Sequence, residues 1–300
     1  MKRFRNSIFV CLFIVLVSLI SCTDGAKPSF YNVKIGKIEV IALQDTEVEM
    51  NSGLVKNGDP AVVKKIMPDG KLPASVNVFL VKTGSHKILI DAGIGDGNAG
   101  KGKLIDSLKL YGLNPEDIDI ICITHAHFDH VGGLVKDGKP VFTKAKLLFS
   151  KPEMATFSDE ALKKLPADVK GFYETANAAM KIYGKRVDTF KVGDTIAEGV
   201  KSVDLSGHTP GHTGLMIESE GQRCLLFGDL LHISDLQFPN PGYSLVYDTD
   251  AIKAARTRNR ILEMAATEKI PVAGAHIKYP GMGSVSKSGN GYSLTPVKNR

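Results

Sequence analysis

The chain has 300 residues, of which 43% are hydrophobic and 23% charged, values near the average for soluble globular proteins. This length allows one large α/β domain or two small ones, with ample core in either case. The formal net charge is +6, but Lys2, Arg3 and Arg5 supply three of those charges and residues 1–21 contain no acid, which leaves +3 for the rest. So small an excess argues against a nucleic-acid-binding protein.

The N-terminus predicts export. A basic start precedes an apolar run over residues 8–20, which has the length of a signal-peptide core and is short for a membrane-spanning helix. Ser21 and Cys22 end a segment that resembles the lipobox of bacterial lipoproteins, in which cleavage precedes an acylated cysteine. We expect a lipoprotein signal over 1–21 and an envelope protein, periplasm-facing or in the outer membrane, that touches the membrane only through its lipid. An ordinary secretory signal is the alternative.

Secondary structure is predicted from short apolar runs, many of them β-branched, separated by Gly and Asn/Asp turns. Polar residues 22–34 predict a tether, and residues 44–74 predict a loop covering another part of the molecule. Strands followed by helices, repeated in two halves, indicate a layered α/β domain over 35–300. Strands are expected over 35–43, 76–83, 87–91, 118–124, 145–149, 189–191, 201–205, 214–218, 224–227, 271–275 and 292–296, and helices over 102–111, 131–134, 151–183 with breaks, and 250–269.

Two cysteines, Cys122 and Cys224, lie inside apolar runs that predict strands. Buried free thiols are the default there. A disulfide between them is the alternative in an oxidising compartment.

A dense group of metal-ligand side chains follows the predicted strand 118–124. His125, His127, Asp129 and His130 fall within six residues. Each of these groups needs a polar partner if it is buried, and a tight loop can satisfy all four by aiming them at metal ions. Imidazole and carboxylate suit Zn²⁺. Alternation places His125 and His127 on one side, and the turn carries the other two toward a second position.

Four ligands cannot complete two tetrahedral sites, so further ligands must come from elsewhere. His212 lies in a Gly/Pro turn between strands, and Asp229 and His276 each follow an apolar run. All three occupy the junction of a buried strand with a loop, the usual place for a site in α/β sheets.

The order His-x-His-x-Asp-His, Gly-His-Thr-Pro-Gly-His, Gly-Asp and a late His resembles the metallo-β-lactamase superfamily across nearly all of 35–300. The segments 275–283 and 289–292 are similar to its methyl parathion hydrolase and lactonase branch. The resemblance implies a four-layer αβ/βα sandwich that binds two metal ions. Zinc is the expected metal, and manganese, iron or cobalt are the possible substitutes. It assigns His125, His127 and His212 to one metal and Asp129, His130 and His276 to the other, with Asp229 and a hydroxide as bridges.

Other residues receive roles from the same resemblance. Asp91 would orient a ligand histidine, or simply form a strand-end turn. Asp129 would accept a proton, and His232 would donate a hydrogen bond to the substrate carbonyl, with a structural histidine as the alternative. His208 is expected to support the site, because His212 already fills the ligand position, and His86 to lie in a hairpin turn. Five further residues match positions near the groove in relatives, with a place in the core as the alternative: Phe157, Phe172, Tyr173, Leu245 and Tyr247.

Departures from other branches narrow the expected activity. Zinc β-lactamases generally lack an Asp at Asp229, and flavodiiron relatives carry Glu at His127. Phosphotriester-cleaving members carry an aromatic residue after Asp91, whereas residues 95–100 have none. We therefore expect hydrolysis of a small-molecule lactone or carboxylic ester. The alternatives are phosphotriester hydrolysis and a metal-loaded binding lipoprotein without turnover, and a homodimer is left open.

Overall fold

A computed structural model describes residues 29–97 and 100–297. The predicted lipoprotein signal and the first part of the predicted tether lie outside the described residues. Among the described helices, none combines the length and apolar character needed to cross a membrane.

The described chain forms strands that alternate with helices. Helices α1 to α8 are Pro60–Ile66, Leu104–Tyr111, Phe128–Val131, Lys151–Thr156, Asp159–Leu162, Ala167–Tyr183, Ser234–Gln237 and Ala251–Thr267. Strands β1 to β18 are Phe30–Ile35, Ile38–Asn51, Lys71–Lys82, Lys87–Ile90, Asp96–Gly97, Gly100–Lys101, Ile120–Cys122, Val135–Lys136, Lys139–Pro140, Lys146–Ser150, Val187–Phe190, Thr195–Ala197, Val200–Asp204, Thr213–Ser219, Gln222–Leu226, Val272–Ala273, Met282–Ser288 and Gly291–Pro296.

Two large sheets pack face to face. The first has the order β1-β2-β3-β4-β7-β10-β11, and the second runs from β12 to β18 in sequence order. Side chains alternate between the two faces of each strand. Ile120 and Cys122 of β7 therefore join the core between the sheets, whereas Ile121 joins the core under α2 and α6. On the far side α8 packs Ile261 and Leu262 against the second sheet. The expected αβ/βα sandwich is confirmed.

The N-terminal boundary differs from the prediction, because the first sheet already begins at Phe30. Strand β1 pairs antiparallel with β2, from Phe30 opposite Leu43 to Ile35 opposite Ile38. Tyr31 and Val33 pack on the core between the sheets, and Ile35 is part of it. This alternation of core-facing and exposed residues is typical of a strand, so the prediction of a tether as far as residue 34 was wrong.

The segment 44–74 is a hairpin extension rather than a loop. Strands β2 and β3 stay paired as far as Asn51 opposite Lys71, and α1 lies near the tip. Val48 and Met50 are buried on β2 because they pack in a separate small core with Met67 and Leu245. The Gly, Pro and Lys content that predicted a loop belongs mainly to the tip of this hairpin.

Both cysteines in the described residues are free and buried. They lie in the core between the two sheets. Burial raises the pKa of the Cys122 thiol, which keeps it protonated.

Candidate metal centre

The strand ends place polar residues at one edge of the sandwich. Strands β4, β7 and β10 are parallel, so their carboxyl ends meet at the same edge, and β15 and β16 are parallel in the second sheet. Asp91 follows β4, residues 125–130 follow β7, Asp229 follows β15 and His276 follows β16. Side chains far apart in sequence are thereby brought together.

One group of possible metal ligands consists of His125, His127 and His208, which are buried with their ligand atoms within 4.8 Å of one another. His208 Nε2 lies 3.2 Å from His125 Nε2 and 3.1 Å from His127 Nδ1. Asp229 Oδ2 lies 3.5 Å from His208 Nε2.

A second group consists of Asp129, His130, Asp229 and His276. His130 Nε2 lies 3.1 Å from Asp229 Oδ1, and His276 Nε2 lies 3.1 Å from Asp229 Oδ2. Asp129 Oδ2 lies 3.5 Å from His130 Nε2 and 3.3 Å from His276 Nε2. Because Asp229 also faces the first group, it stands between the two.

In the described residues His208, and not His212, lies with His125 and His127 in the first group. The His212 ring bridges the ends of two strands: its Nδ1 lies 3.2 Å from the Leu205 carbonyl oxygen, and its Nε2 accepts the Asp229 backbone N–H at 3.2 Å. Its lone pair is therefore engaged with the backbone. His208, at the apex of the same turn, reaches into the cluster. The assignment of His212 as a ligand and His208 as its support is reversed by this geometry.

The donor set fits divalent metal ions. His130 Nε2 and Asp229 Oδ1 are buried without a hydrogen-bonding partner in the described chain, although they face each other. Unsatisfied buried groups of this kind are rare unless an ion or water completes them. Nitrogen ligands at about 2.0–2.1 Å around a tetrahedral Zn²⁺ are about 3.4 Å apart. The separations of 3.1 and 3.2 Å within the first group are close to this value.

The electrostatics of the two groups also suit cations. Burial, reinforced by neighbouring imidazoles, holds the pKa of His125 and of His127 well below the usual value, so both rings stay neutral with a free lone pair. For His276, burial lowers the pKa, but Asp229 and Asp129 outweigh it and raise the value to about 10. The carboxylates thus create a negative potential where positive charge is stabilised.

Neighbouring polar groups fix the orientation of the ligand rings. Asp91, in the left-handed region at φ 68°, accepts from Thr124 N at 2.7 Å and lies 2.8 Å from His130 Nδ1. It therefore orients a ligand ring rather than only forming a turn. Asp248 lies 3.1 Å from His208 Nδ1, and the Ser75 carbonyl lies 2.9 Å from His276 Nδ1. Such partners set the tautomer and the direction of the other ring nitrogen.

A mostly apolar cleft opens above the two groups, and its empty space is about 420 Å³ when the part open to solvent is counted. Phe172 and Tyr247 line it as expected, whereas Phe157, Tyr173 and Leu245 are buried in the cores behind it. Val48 and Met50 also line the cleft, although the segment that carries them was predicted to be a loop. The complete lining is Val48, Met50, Ile94, His127, Phe128, Asp129, Phe172, Asp229, His232, Tyr247 and His276.

His232 faces this cleft. Its Nε2 lies 3.1 Å from Asp229 Oδ2, and within the described residues its Nδ1 has no hydrogen-bonding partner. Burial lowers the pKa of His232 to about 4, so the ring is neutral and carries one N–H. Nδ1 can therefore meet a ligand, and it can donate a hydrogen bond when the ring is in the tautomer that carries its proton on Nδ1. His86, in contrast, lies in a turn between β3 and β4, where its backbone N–H bonds to Thr83 Oγ1.

Comparisons with known proteins agree with the fold and the site. A model of the metallo-β-lactamase superfamily matches residues 72–270, and the chain belongs to this superfamily of metal-dependent hydrolases. The crystal structure of a hydrolase of the β-lactamase superfamily, AbOPH, is 30% identical with a TM-score of 0.84, and the match covers 92% of this chain and 99% of that one.

Two further relatives are described as lactonases. AidC, a dizinc quorum-quenching lactonase solved with a homoserine product, is 28% identical with a TM-score of 0.82, over 91% of this chain and 99% of AidC. An N-acyl homoserine lactonase of a Bacillus species is 27% identical over 186 residues, which are 53% of this chain. The match spans 65% of that curated relative's length.

Proposed function

We propose that this protein is a dinuclear metal hydrolase that cleaves a lactone or carboxylic ester, with zinc as the first choice of metal. The observation that carries the proposal is the pair of ligand groups sharing Asp229 at the floor of an apolar cleft. His125, His127 and His208 would hold one ion, and Asp129, His130 and His276 the other, with Asp229 between them. The similarity to AidC, a dizinc lactonase, supports the lactonase part of this proposal.

The chemistry divides between the metal pair and the protein. When bound, two divalent cations supply Lewis-acid polarisation of a carbonyl and lower the pKa of water. The chain supplies binding, orientation and proton transfer. Asp129 both belongs to the second group and lines the cleft, with 13% of its side chain exposed. Burial raises its pKa, but His130 and His276 outweigh this effect and lower it, so the group is an anion. Its place beside the cleft, rather than its basicity, makes Asp129 the proposed proton acceptor.

The cleft favours an uncharged substrate with an apolar portion. None of the residues lining it is Lys or Arg, so outside the ligand groups the cleft offers no side-chain cation to pair with a carboxylate or phosphodiester. Val48, Met50, Ile94 and Phe172 offer apolar contact beside the metal groups. A neutral lactone or ester carrying an acyl chain meets both conditions.

The purified protein loaded with zinc is expected to hydrolyse lactones and aryl esters, with a higher kcat/KM than for a neutral phosphotriester. Steady-state rates for the three substrate types measure this preference. Removal of metal by a chelator should abolish turnover, and added zinc or manganese should restore it. Two firmly bound metals without turnover on any of the three would favour a binding lipoprotein. A dominant phosphotriester rate would favour the other alternative.

We further propose that His232 hydrogen-bonds to the substrate carbonyl oxygen. Replacing His232 with Phe keeps an aromatic ring but removes both nitrogens. Loss of one such donor lowers kcat by about 100- to 1,000-fold in other enzymes, and a fall in this range is expected here. Metal analysis of the same variant should still find two ions. A parallel loss of metal would instead make His232 a ligand, since it also lies with His208 and Asp229.

A further inference from the structure

Glu153, near the start of α4, is a buried carboxylate that the proposed reaction does not use. Its side chain is fully buried. Oε1 accepts the Ala126 backbone N–H at 2.8 Å, and Oε2 accepts the Thr209 hydroxyl at 2.7 Å and the Gly211 backbone N–H at 2.9 Å. Both carboxylate oxygens therefore accept hydrogen bonds, and all three donors belong to the loops that carry the metal ligands.

The two loops that Glu153 joins carry the whole first ligand group. Ala126 stands between His125 and His127, and Thr209 directly follows His208. Glu153 is therefore hydrogen-bonded to residues adjacent to all three imidazoles.

The backbone around Glu153 is held rigidly against one of these loops. Ser150 caps α4 by accepting the Glu153 N–H at 3.2 Å, and its own hydroxyl donates to the Gly211 carbonyl oxygen at 2.7 Å. A Cβ added to Gly211 would lie 2.1 Å from Glu153 N, so only glycine permits this approach. The position of the carboxylate is thus fixed from its own helix.

We propose that Glu153 is a positioning residue that sets the separation between His208 and the His125–His127 pair and thereby the affinity of the first metal site. This inference rests on the proposed function only for the identity of the ligands. A carboxylate is required because both oxygens must accept. An amide in its place would turn one acceptor into a donor and set it against a backbone N–H or the Thr209 hydroxyl.

The test is metal affinity, measured without substrate by competition with a chelator. Glu153→Gln is expected to weaken the more affected zinc ion by about 10- to 100-fold, the usual effect of removing a partner that orients metal ligands. The visible absorption of the cobalt-loaded protein should change as well, because it reports ligand geometry directly. Wild-type affinity together with a wild-type cobalt spectrum would overturn the inference.

Milder variants keep the test decisive if Glu153→Gln does not fold. Thr209→Val removes one of the three hydrogen bonds and should weaken zinc binding by a smaller factor, whereas Thr209→Ser should restore it. Equal affinities for the two Thr209 variants would count against the proposal. Because no step requires hydrolysis, these results are separable from success or failure of the proposed activity.

Asp45 provides a matched control. It is also a buried carboxylate that accepts backbone N–H groups, among them those of Ile94 at 2.8 Å and Leu104 at 2.9 Å, which lie outside the ligand loops. Asp45→Asn should lower thermal stability while leaving zinc affinity within a few-fold of the wild type. If Asp45→Asn weakens zinc binding as much as Glu153→Gln does, the effect is general loosening and the proposal fails.

Discussion

Replacing His208 with Asn is expected to leave the protein with about one bound zinc ion instead of two and to lower lactone hydrolysis by at least about 100-fold. The reason is geometric: His208 Nε2 lies within 3.2 Å of ring nitrogens of both His125 and His127, and no other side chain in the described residues completes that group. Elemental analysis and steady-state kinetics on the same preparation measure both quantities.

His212→Asn is the matched comparison, since it lies in the same turn and undergoes the same substitution. It removes the partners of the Asp229 N–H and the Leu205 carbonyl, so we expect a loss of about 1–3 kcal/mol in the free energy of unfolding. Two zinc ions should remain bound. The opposite pattern, with metal lost from the His212 variant alone, would restore the ligand assignment made from sequence.

The two carboxylates of the second group should respond differently to loss of charge. Asp229→Asn is expected to reduce bound metal and to abolish turnover, because among the described carboxylates Asp229 is the one that lies near ligand nitrogens of both groups. Asp129→Asn is expected to depress kcat more than metal content, since Asp129 lies at the rim of one group and opens onto the cleft. Metal stoichiometry and kcat, measured side by side for both variants, distinguish these roles.

Asp235→Asn serves as the control for this pair, because Asp235 is exposed on α7, six residues after Asp229. It should change neither quantity. Equal losses of metal and kcat in Asp129→Asn would remove the case for Asp129 as a proton acceptor. Full metal content in Asp229→Asn would contradict its place between the ions.

Much of the site could be predicted from sequence because its ligands follow buried strands. The cluster after β7 was identifiable from the density of ligand side chains, and Asp229 and His276 from their position after apolar runs. The turn carrying His208 and His212 was harder, since both histidines lie between β13 and β14. Only the path of that turn decides which ring reaches the cluster and which one lies against Leu205.

The layered arrangement of the fold was predictable from sequence. The prediction was wrong where the burial of residues departs from the usual pattern. In strand β1 the exposed residues Phe30, Asn32 and Lys34 alternate with partly buried ones, which is a weak signal at a sheet edge. The hairpin of β2 and β3 was mistaken for a loop because its tip dominates the composition. Glu153 gave no signal, because a single acidic residue at a helix start usually faces water.

The long hairpin of β2 and β3 contributes both to the orientation of a metal ligand and to the wall of the substrate cleft, two roles that are separate in many enzymes. Strand β3 supplies the Ser75 carbonyl that orients His276, and its partner β2 supplies Val48 and Met50 to the cleft. Glu47 pairs with Ser75 in register, so the two functions are only a few residues apart on one ribbon. A sequence change that shifts this ribbon alters substrate fit and metal retention together. Residues beyond Asn51, near α1, can be replaced without affecting either property. The tip of the ribbon should therefore tolerate substitutions that its stem does not.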